Sequence, residues 1–182
     1  MKYIVASDIH GSALYGGMLL DRFEAEGADK LLLLGDILYH GPRNDLPEGY
    51  APKVLIERLN AMADRILCVR GNCDALVDQM VLDFPLLDEM RAVDLGGVPA
   101  VMIHGHQLEG EGAPRFDKGT VVLCGHTHIP VCIQTDFGVQ INPGSVSIPK
   151  QGSHRGYITV ENGLFVWKDL QGNIVRQYRY QS

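Results

Sequence analysis

Short apolar runs alternate with helical patterns of apolar residues in the first half of the chain. A helix capped by Ser12 and ended by Gly27 is predicted, with Leu14 on its buried side. A second helix places Leu55 and Leu59 on one face. The apolar runs predict three strands, at residues 2–6, 30–34 and 65–69. This order of strands and helices indicates a parallel sheet that is covered on both faces.

The second half of the chain has a different pattern, because helical periodicity is nearly absent after about residue 90. Short turns such as Asn162-Gly163 separate several of its apolar runs. The runs predict eight strands, at residues 91–95, 99–103, 121–124, 131–135, 139–141, 157–160, 164–167 and 174–178. We therefore expect an α+β fold in which two mixed sheets pack face to face between helices, a four-layer αββα sandwich. No repeat or long linker divides the chain, so residues 1–182 are expected to form one domain.

Composition narrows the classes of function. Hydrophobic residues make up 46% of the 182 residues and charged residues 21%, which excludes a disordered chain. The net charge of −6 argues against a broad basic face for nucleic acid. A substrate that carries a phosphate remains compatible with this charge, because a bound metal ion can supply positive charge locally.

Membrane insertion and export are not indicated. The longest apolar run in the first half, Leu31–Leu34, is far shorter than the roughly 18 residues of a membrane-spanning helix. The N-terminal segment is polar again by Ser7 and lacks the apolar stretch of a secretory signal. The cysteines show no paired spacing of the kind that metal-binding or redox motifs use. We expect a cytoplasmic protein with no membrane partner.

Residues of metal-binding type follow one strand after another. The carboxyl ends of parallel strands meet at one edge of a sheet, where ligands bind in open α/β proteins. Any one of these residues alone would more often form a turn or a local hydrogen bond, but the whole set favours a metal site. Its members are Asp8, His10, Asp36, Asn72, His104, His126 and His128.

The ligand types point to a particular metal chemistry. Imidazole and carboxylate groups without thiolate favour manganese, iron or zinc. Seven ligands exceed what one tetrahedral ion takes and suit two ions that share a carboxylate. Two ions roughly 3.5–4 Å apart clamp a phosphoryl group and lower the pKa of a shared water to about 7, so that hydroxide can attack phosphorus at neutral pH.

These motifs, in their order along the chain, resemble the motif set of the calcineurin-like metallophosphoesterases. The matching segments are Asp8-x-His10, Gly35-Asp36, Gly71-Asn72, His104-Gly105, Gly125-His126-Thr127-His128 and Asn142-Pro143-Gly144-Ser145. The length of the chain, the loop at residues 40–44 and the sequence Gly-Asn-Cys-Asp at 71–74 are similar to the small YfcE-type bacterial phosphodiesterases in particular.

The resemblance implies a four-layer fold and two divalent ions, Mn²⁺ first, with iron, zinc or nickel as alternatives. One ion would be held by Asp8, His10 and His128. The second ion would be held by Asn72, His104 and His126. Asp36 would bridge both ions.

The residue after Asn72 departs from the wider family. Most members have a histidine there that contacts the substrate and can protonate the leaving group, whereas this chain has Cys73. We count Cys73 among the candidate catalytic residues, together with Asp36, Asn72 and Arg43. Arg43 is a candidate clamp for a phosphate oxygen, with a solvated loop arginine as the alternative. His40 is a weaker candidate for a substrate contact.

Three functions remain open from the sequence. The first is a metal-dependent phosphodiesterase that acts on a small phosphodiester. The second is a phosphomonoesterase or nucleotide pyrophosphatase with the same metal chemistry. The third is a protein-binding scaffold, because relatives of this compact form include a retromer subunit; a complete ligand set argues against it. The strand-rich second half has edges that leave a homo-oligomer open.

Overall fold

The computed structural model describes residues 1–108, 110 and 112–181. The helices are α1 (Ala13–Ala25) and α2 (Pro52–Asn60). The strands are β1 (Lys2–Ala6), β2 (Lys30–Leu33), β3 (Ile66–Cys68), β4 (Met90–Asp94), β5 (Pro99–Ile103), β6 (Thr120–Leu123), β7 (Val131–Gln134), β8 (Gly138–Asn142), β9 (Gly156–Glu161), β10 (Leu164–Asp169) and β11 (Ile174–Arg179). The predicted elements are thus present, with bounds that differ by one or two residues.

The strands form two mixed sheets. The first sheet has the order β11-β10-β9-β1-β2-β3, and the second has the order β4-β5-β6-β8-β7. Strands β1, β2 and β3 are parallel, as are β5, β6 and β8, while the flanking strands run antiparallel. Strand β9 pairs with β1, so the last part of the chain completes the sheet that the first part begins.

Burial on both faces explains the continuous apolar runs of the first strands. On β1, Ile4 contacts the core beneath the helices, and Val5 contacts the core between the two sheets. On β2, Leu31 likewise contacts the core beneath the helices, and Leu32 contacts the core between the two sheets. A strand with one polar face would alternate apolar and polar residues, whereas a strand that is covered twice has to be apolar throughout.

Helix α1 begins and ends as predicted, but the prediction of its buried side was partly wrong. The Ser12 hydroxyl accepts a hydrogen bond from the backbone N–H of Tyr15, which caps the helix. Leu14 is 43% exposed. Gly16 lies on the buried side instead, and a Cβ there would be 2.7 Å from a methyl carbon of Leu55. Counting apolar side chains could not find a helix face on which a glycine allows close packing.

The two outer layers of the sandwich differ. Helices α1 and α2 cover the first sheet. The outer face of the second sheet, with Ile103, Val122 and Cys124, packs against Leu108 and Phe116. Within the described residues, this layer is irregular chain without a helix. No helix in the described part of the chain is long and apolar enough to cross a membrane.

Candidate metal centre

The two sheets place their predicted site residues at one shared edge. Asp8 and His10 follow β1, Asp36 follows β2, and His104 follows β5 of the other sheet. The Nδ1 of His104 lies 2.6 Å from the carbonyl oxygen of Leu34, which directly follows β2. This hydrogen bond joins the ends of the two sheets, so residues far apart in sequence lie in one cluster.

Asp8, His10 and His128 form the first group of side chains. The Nε2 atoms of the two histidines are 3.2 Å apart. Asp8 Oδ1 lies 3.3 Å from the Nε2 of His128 and 3.7 Å from that of His10. All three residues are buried. Their three donor atoms therefore surround one small space.

Asp36, Asn72 and His104 form the second group. The Nε2 of His104 lies 3.1 Å from Asn72 Oδ1 and 3.4 Å from Asp36 Oδ2. The same Asp36 oxygen is 3.8 Å from the Nε2 of His10 in the first group. Asp36 thus lies between the two groups.

His126 lies further out than the other members. Its ring centre is 5.2 Å from that of His104 and 6.0 Å from that of His106. Its side chain is partly exposed, and its backbone N–H donates to Asp8 Oδ2 at 3.1 Å. His126 is therefore on the solvent side of the second group.

The hydrogen bonds of the buried histidines fix their tautomers. The Nδ1 of His10 lies 2.8 Å from the carbonyl oxygen of Tyr39, and that of His128 lies 2.7 Å from the carbonyl oxygen of Ile148. A carbonyl oxygen only accepts, so each Nδ1 carries the hydrogen, as does that of His104. When the ring is neutral, each Nε2 therefore presents a lone pair to the cluster, which is the arrangement of histidines that bind metal ions.

The donor atoms fit a divalent cation because they lack other partners. Asp8 Oδ1 is buried and accepts no hydrogen bond from the described residues. The Nε2 lone pairs of His10 and His128 face each other at 3.2 Å, which is unfavourable unless a proton or cation lies between them. A buried oxygen without a donor costs free energy, and native proteins rarely leave one unexplained. Carboxylate and imidazole donors together suit a divalent transition-metal ion.

The backbone of this cluster is strained. Seven non-glycine residues of the described chain have a positive φ, and five of them are predicted metal ligands. Such left-handed conformations cost of order 1–3 kcal/mol for each residue and concentrate at functional sites. The five are Asp8 (φ 59°), His10 (φ 50°), Asp36 (φ 55°), His126 (φ 67°) and His128 (φ 62°).

Two glycines make room for the carboxylates. A Cβ at Gly71 would overlap the Asp36 carboxylate, and a Cβ at Gly125 would overlap Ser7 and lie 2.8 Å from Asp8 Oδ2. Any side chain at these two positions would displace a carboxylate from the cluster. The glycines that flank the sequence motifs are therefore required by the shape of the site.

The pKa values of Asp36 and His104 are shifted in opposite directions by their mutual attraction. Burial opposes ionisation of Asp36, but hydrogen bonds from His104 and the Cys73 N–H lower its pKa well below the usual range. For His104, burial disfavours the charged form, yet Asp36 and Asp8 raise its pKa to about 9. A proton therefore competes with a cation for the Nε2 of His104 at neutral pH.

Asp74 is a site residue to which the sequence assigned no role. It is 3% exposed, and its carboxylate accepts the backbone N–H groups of Asp36, Ile37 and Gly71 at 2.7–2.8 Å. Burial raises its pKa to about 6, so the group is ionised at neutral pH. It fixes the loops that carry Asp36 and Asn72. The sequence feature that indicates this role is the position of the aspartate three residues after Gly71, because carboxylates at such short spacings bind backbone N–H groups in turns.

A cleft of about 460 Å³ opens above the cluster. Arg43 and Asn44 line one part of it, and Lys150 lines another. Arg43 is thus in the cleft as the sequence suggested. Lys150 was not predicted, because it lies in no recognisable motif. His40 does not line this cleft, and its ring instead packs edge-on against Tyr39 and Tyr50.

Cys73 lies on the wall of the cleft beside Asp36. Its backbone N–H donates to Asp36 Oδ1 at 2.8 Å, and its Sγ is 3.3 Å from the amide nitrogen of Asn72. Burial and the charge of Asp36 raise the pKa of the thiol to about 12. In the metal-free protein the thiol is therefore neutral at physiological pH.

The chain matches proteins of known activity. A family model described as the calcineurin-like phosphoesterase superfamily domain matches residues 1–163. Phosphodiesterase YfcE of Escherichia coli is 46% identical over 164 residues, which cover 90% of this chain and 89% of that protein. A UDP-2,3-diacylglucosamine hydrolase of Shewanella sp. (strain ANA-3) is 31% identical over 118 residues, 59% of this chain and 49% of that protein.

Solved structures agree with the described fold. The structure of Yfce, a phosphoesterase from E. coli, superimposes with a TM-score of 0.93 at 43% identity and covers 100% of both chains. Vps29 of Entamoeba histolytica in complex with Zn²⁺ gives a TM-score of 0.63 at 16% identity, also over 100% of both chains, which shows a common fold only. The predicted two-sheet sandwich is confirmed.

Proposed function

This chain belongs to the calcineurin-like phosphoesterase superfamily, and we propose that it is a metal-dependent phosphodiesterase acting on a small diester. The observation that carries the proposal is the buried cluster of carboxylates and imidazoles, with an unpartnered Asp8 oxygen and three histidines whose Nδ1 atoms are bonded to carbonyl oxygens, which leaves each Nε2 for the cluster. The 46% identity to a phosphodiesterase supports the same reaction class. One domain, residues 1–182, carries the activity, and the pairing of β1 with β9 supports this assignment.

Two divalent ions occupy the cluster in this proposal. Asp8, His10 and His128 hold the first ion. Asn72, His104 and His126 hold the second ion, and Asp36 is shared. The distances within each group and the intermediate position of Asp36 support this division. Mn²⁺ is the first candidate, with iron, zinc and nickel as alternatives for these donor types.

When bound, two such ions lower the pKa of a shared water and neutralise charge on the phosphoryl oxygens. The side chains of the protein orient the metal ligands and the substrate. Asp74 holds the backbone of Asp36 and Gly71, so the shared carboxylate keeps its direction. Arg43 and Lys150 line the cleft, where their charges can bind the non-bridging oxygens of the substrate. These two local cations allow an acidic chain to bind an anion.

Diesters are expected to be better substrates than monoesters. Two divalent ions bring four positive charges, and Asp8 and Asp36 remove two of them. A diester monoanion needs less neutralisation than a dianionic monoester. A cysteine thiol is a weaker hydrogen-bond donor than an imidazolium, which favours esters whose leaving group departs without a proton.

The proposal is tested by hydrolysis of bis(4-nitrophenyl) phosphate and 4-nitrophenyl phosphate after chelation and after addition of Mn²⁺. We expect no turnover of either ester in the chelated protein, and a higher kcat/KM for the diester once Mn²⁺ is restored. Hydrolysis that survives exhaustive chelation would contradict the metal mechanism. A protein that binds Mn²⁺ and hydrolyses neither ester would favour the scaffold function instead.

A further inference from the structure

A second cleft of about 380 Å³ adjoins the polar cleft and has a different chemistry. Its walls are almost entirely apolar. Lys53 and Asp78 are the charged residues among the described residues that line it. Its apolar walls include Tyr39, Tyr50, Ile56, Cys73, Val77 and Val81.

The two clefts meet at Cys73, which lines both of them. On one side of this residue lie Asp36 and the histidines, and on the other side lie the rings of Tyr39 and Tyr50. A molecule whose phosphorus is held at the metal cluster can therefore extend a substituent past Cys73 into the apolar cleft. The walls change from polar to apolar at Cys73. A phosphate ester likewise has a charged phosphate group at one end and an apolar substituent at the other.

Several apolar side chains around this cleft are exposed to solvent. Tyr39 is 41% exposed, Val77 is 62% exposed and Val81 is 44% exposed. A continuous apolar surface next to a polar site is a common feature of ligand-binding clefts, and its size suits a small organic group.

We propose that this cleft binds the apolar substituent, alkyl or aryl, of the phosphate ester whose phosphorus is held at the metal cluster. The inference rests on the proposed phosphodiesterase function and adds a substrate class to it. The expected substrates are phosphate esters of apolar alcohols or phenols. The polar cleft binds the phosphate group, and the apolar cleft binds the substituent of the same molecule. Tethering through phosphorus favours occupation of the second cleft, because the substituent is already held at its entrance.

The test uses n-alkylphosphonates from methyl to hexyl as competitive inhibitors of bis(4-nitrophenyl) phosphate hydrolysis by the Mn²⁺-loaded protein. Calorimetric binding of the same ligands gives a second readout that does not depend on turnover. Because each buried methylene gains hydrophobic free energy, we expect the inhibition constant to fall about fourfold for each added methylene.

Val77→Asp is expected to flatten this dependence on chain length, since it places a charge on the apolar wall. Val77→Ile should retain it. Val54→Asp is the matched control: Val54 is 51% exposed on α2 and does not line the cleft. Thermal unfolding of each variant shows whether it is folded.

The outcomes separate the inference from the function. Hydrolysis with an inhibition constant that is independent of chain length would overturn the inference and leave the phosphodiesterase function intact. Absence of hydrolysis with every diester would overturn the function and the inference together. Self-association that Val77→Asp abolishes, with a flat alkyl series, would make this surface a protein interface and would also overturn the inference.

Discussion

Glu26 and Asp36 are both nearly buried carboxylates, and their surroundings supply opposite kinds of partner. Glu26, just after α1, accepts hydrogen bonds from Lys168 at 2.6 Å, Lys2 at 2.8 Å and Tyr157 at 3.0 Å. Burial opposes its ionisation, but these donors lower its pKa to about 2. The chain itself neutralises this charge completely.

Asp36 and its neighbour Asp8 have no lysine or arginine partner within the described chain. The basic groups within 4 Å of these two carboxylates in the described chain are all histidines, and of these only His104 has its pKa raised above neutral pH. One oxygen of Asp8 has no donor. The comparison teaches how a structural charge cluster differs from a metal site: the first is complete within the protein, and the second is complete only when a cation is added.

Loss of the shared carboxylate is expected to have the largest effect. Asp36→Asn keeps the size of the side chain but removes the charge between the two groups. Several kcal/mol of charge stabilisation are then lost, so kcat/KM should fall by about 10³-fold or more. Steady-state hydrolysis of bis(4-nitrophenyl) phosphate measures this fall in kcat/KM. Activity within tenfold of the wild type would mean that Asp36 is not shared between ions.

The matched change in the other cluster should affect stability alone. Glu26→Gln leaves Lys2 and Lys168 near a neutral group, and breaking a buried ion pair typically costs about 3 kcal/mol. We expect a lower free energy of unfolding in urea and an unchanged kcat. A loss of activity in the folded variant, or no loss of stability, would remove the contrast between the clusters.

The two clusters should also respond to opposite ends of the pH range. The pKa of Glu26 is lowered from its ordinary value of 4.5 to about 2 in the folded protein, so its stabilisation is present above pH 4.5 and is lost as the pH falls toward 2. The pKa of His104 is raised from 6.5 to about 9, so its stabilisation of the metal-free protein is present below pH 6.5 and is lost as the pH rises through 9.

Metal binding should follow the His104 proton. As the pH falls from 9 toward 7, Mn²⁺ affinity is expected to drop by about tenfold per unit, because one proton must leave for each ion bound there. Calorimetric titrations at pH 7, 8 and 9 measure the slope. An affinity that does not change with pH would show that His104 is not protonated in the metal-free state.

A smaller effect is expected from the cations of the cleft. Arg43→Ala should lower kcat/KM about tenfold and leave the metal content unchanged, because a charge-assisted hydrogen bond to substrate is lost. Arg43→Lys should restore little, since a point charge does not reproduce the planar guanidinium. Unchanged kinetics in Arg43→Ala would mean that Arg43 is a solvated loop arginine that does not contact the substrate.

Cys73→His should give the smallest change, and in the opposite direction. An imidazole can donate a proton to a poor leaving group, so a gain of about fivefold on alkyl esters is expected, well below the 10²–10⁴-fold of an optimised acid. The gain should be less on nitrophenyl esters. Space is limited, because Sγ lies 3.0 Å from where a Cβ at Gly41 would be. A decrease on both ester types would discard the general-acid role for position 73.

The sequence predicted most of the fold because its strands are doubly buried and therefore apolar throughout. It also predicted that Asp8, Asp36 and His104 would meet, since each one follows a parallel strand. Residues that reach the site from irregular chain were harder to find. Lys150 lies on a loop after β8, and no local pattern indicates that this loop returns to the cleft.

Two further features depend on three-dimensional packing rather than on pattern. The positive φ values of the predicted ligands can be inferred only after the turns are seen. The apolar cleft is assembled from the loop before α2, from α2 itself and from residues 73–81, whose apolar residues follow no helical or strand period.

The central claim is that the cluster around Asp36 is completed by two divalent ions, and metal stoichiometry tests it most directly. The protein is stripped with chelator, dialysed and titrated with Mn²⁺ in a calorimeter, and the bound metal is then measured by elemental analysis. We predict two Mn²⁺ per chain for the wild type and for Glu26→Gln, and fewer than two for Asp36→Asn. No saturable binding by the wild type, or equal binding by Asp36→Asn, would contradict the account.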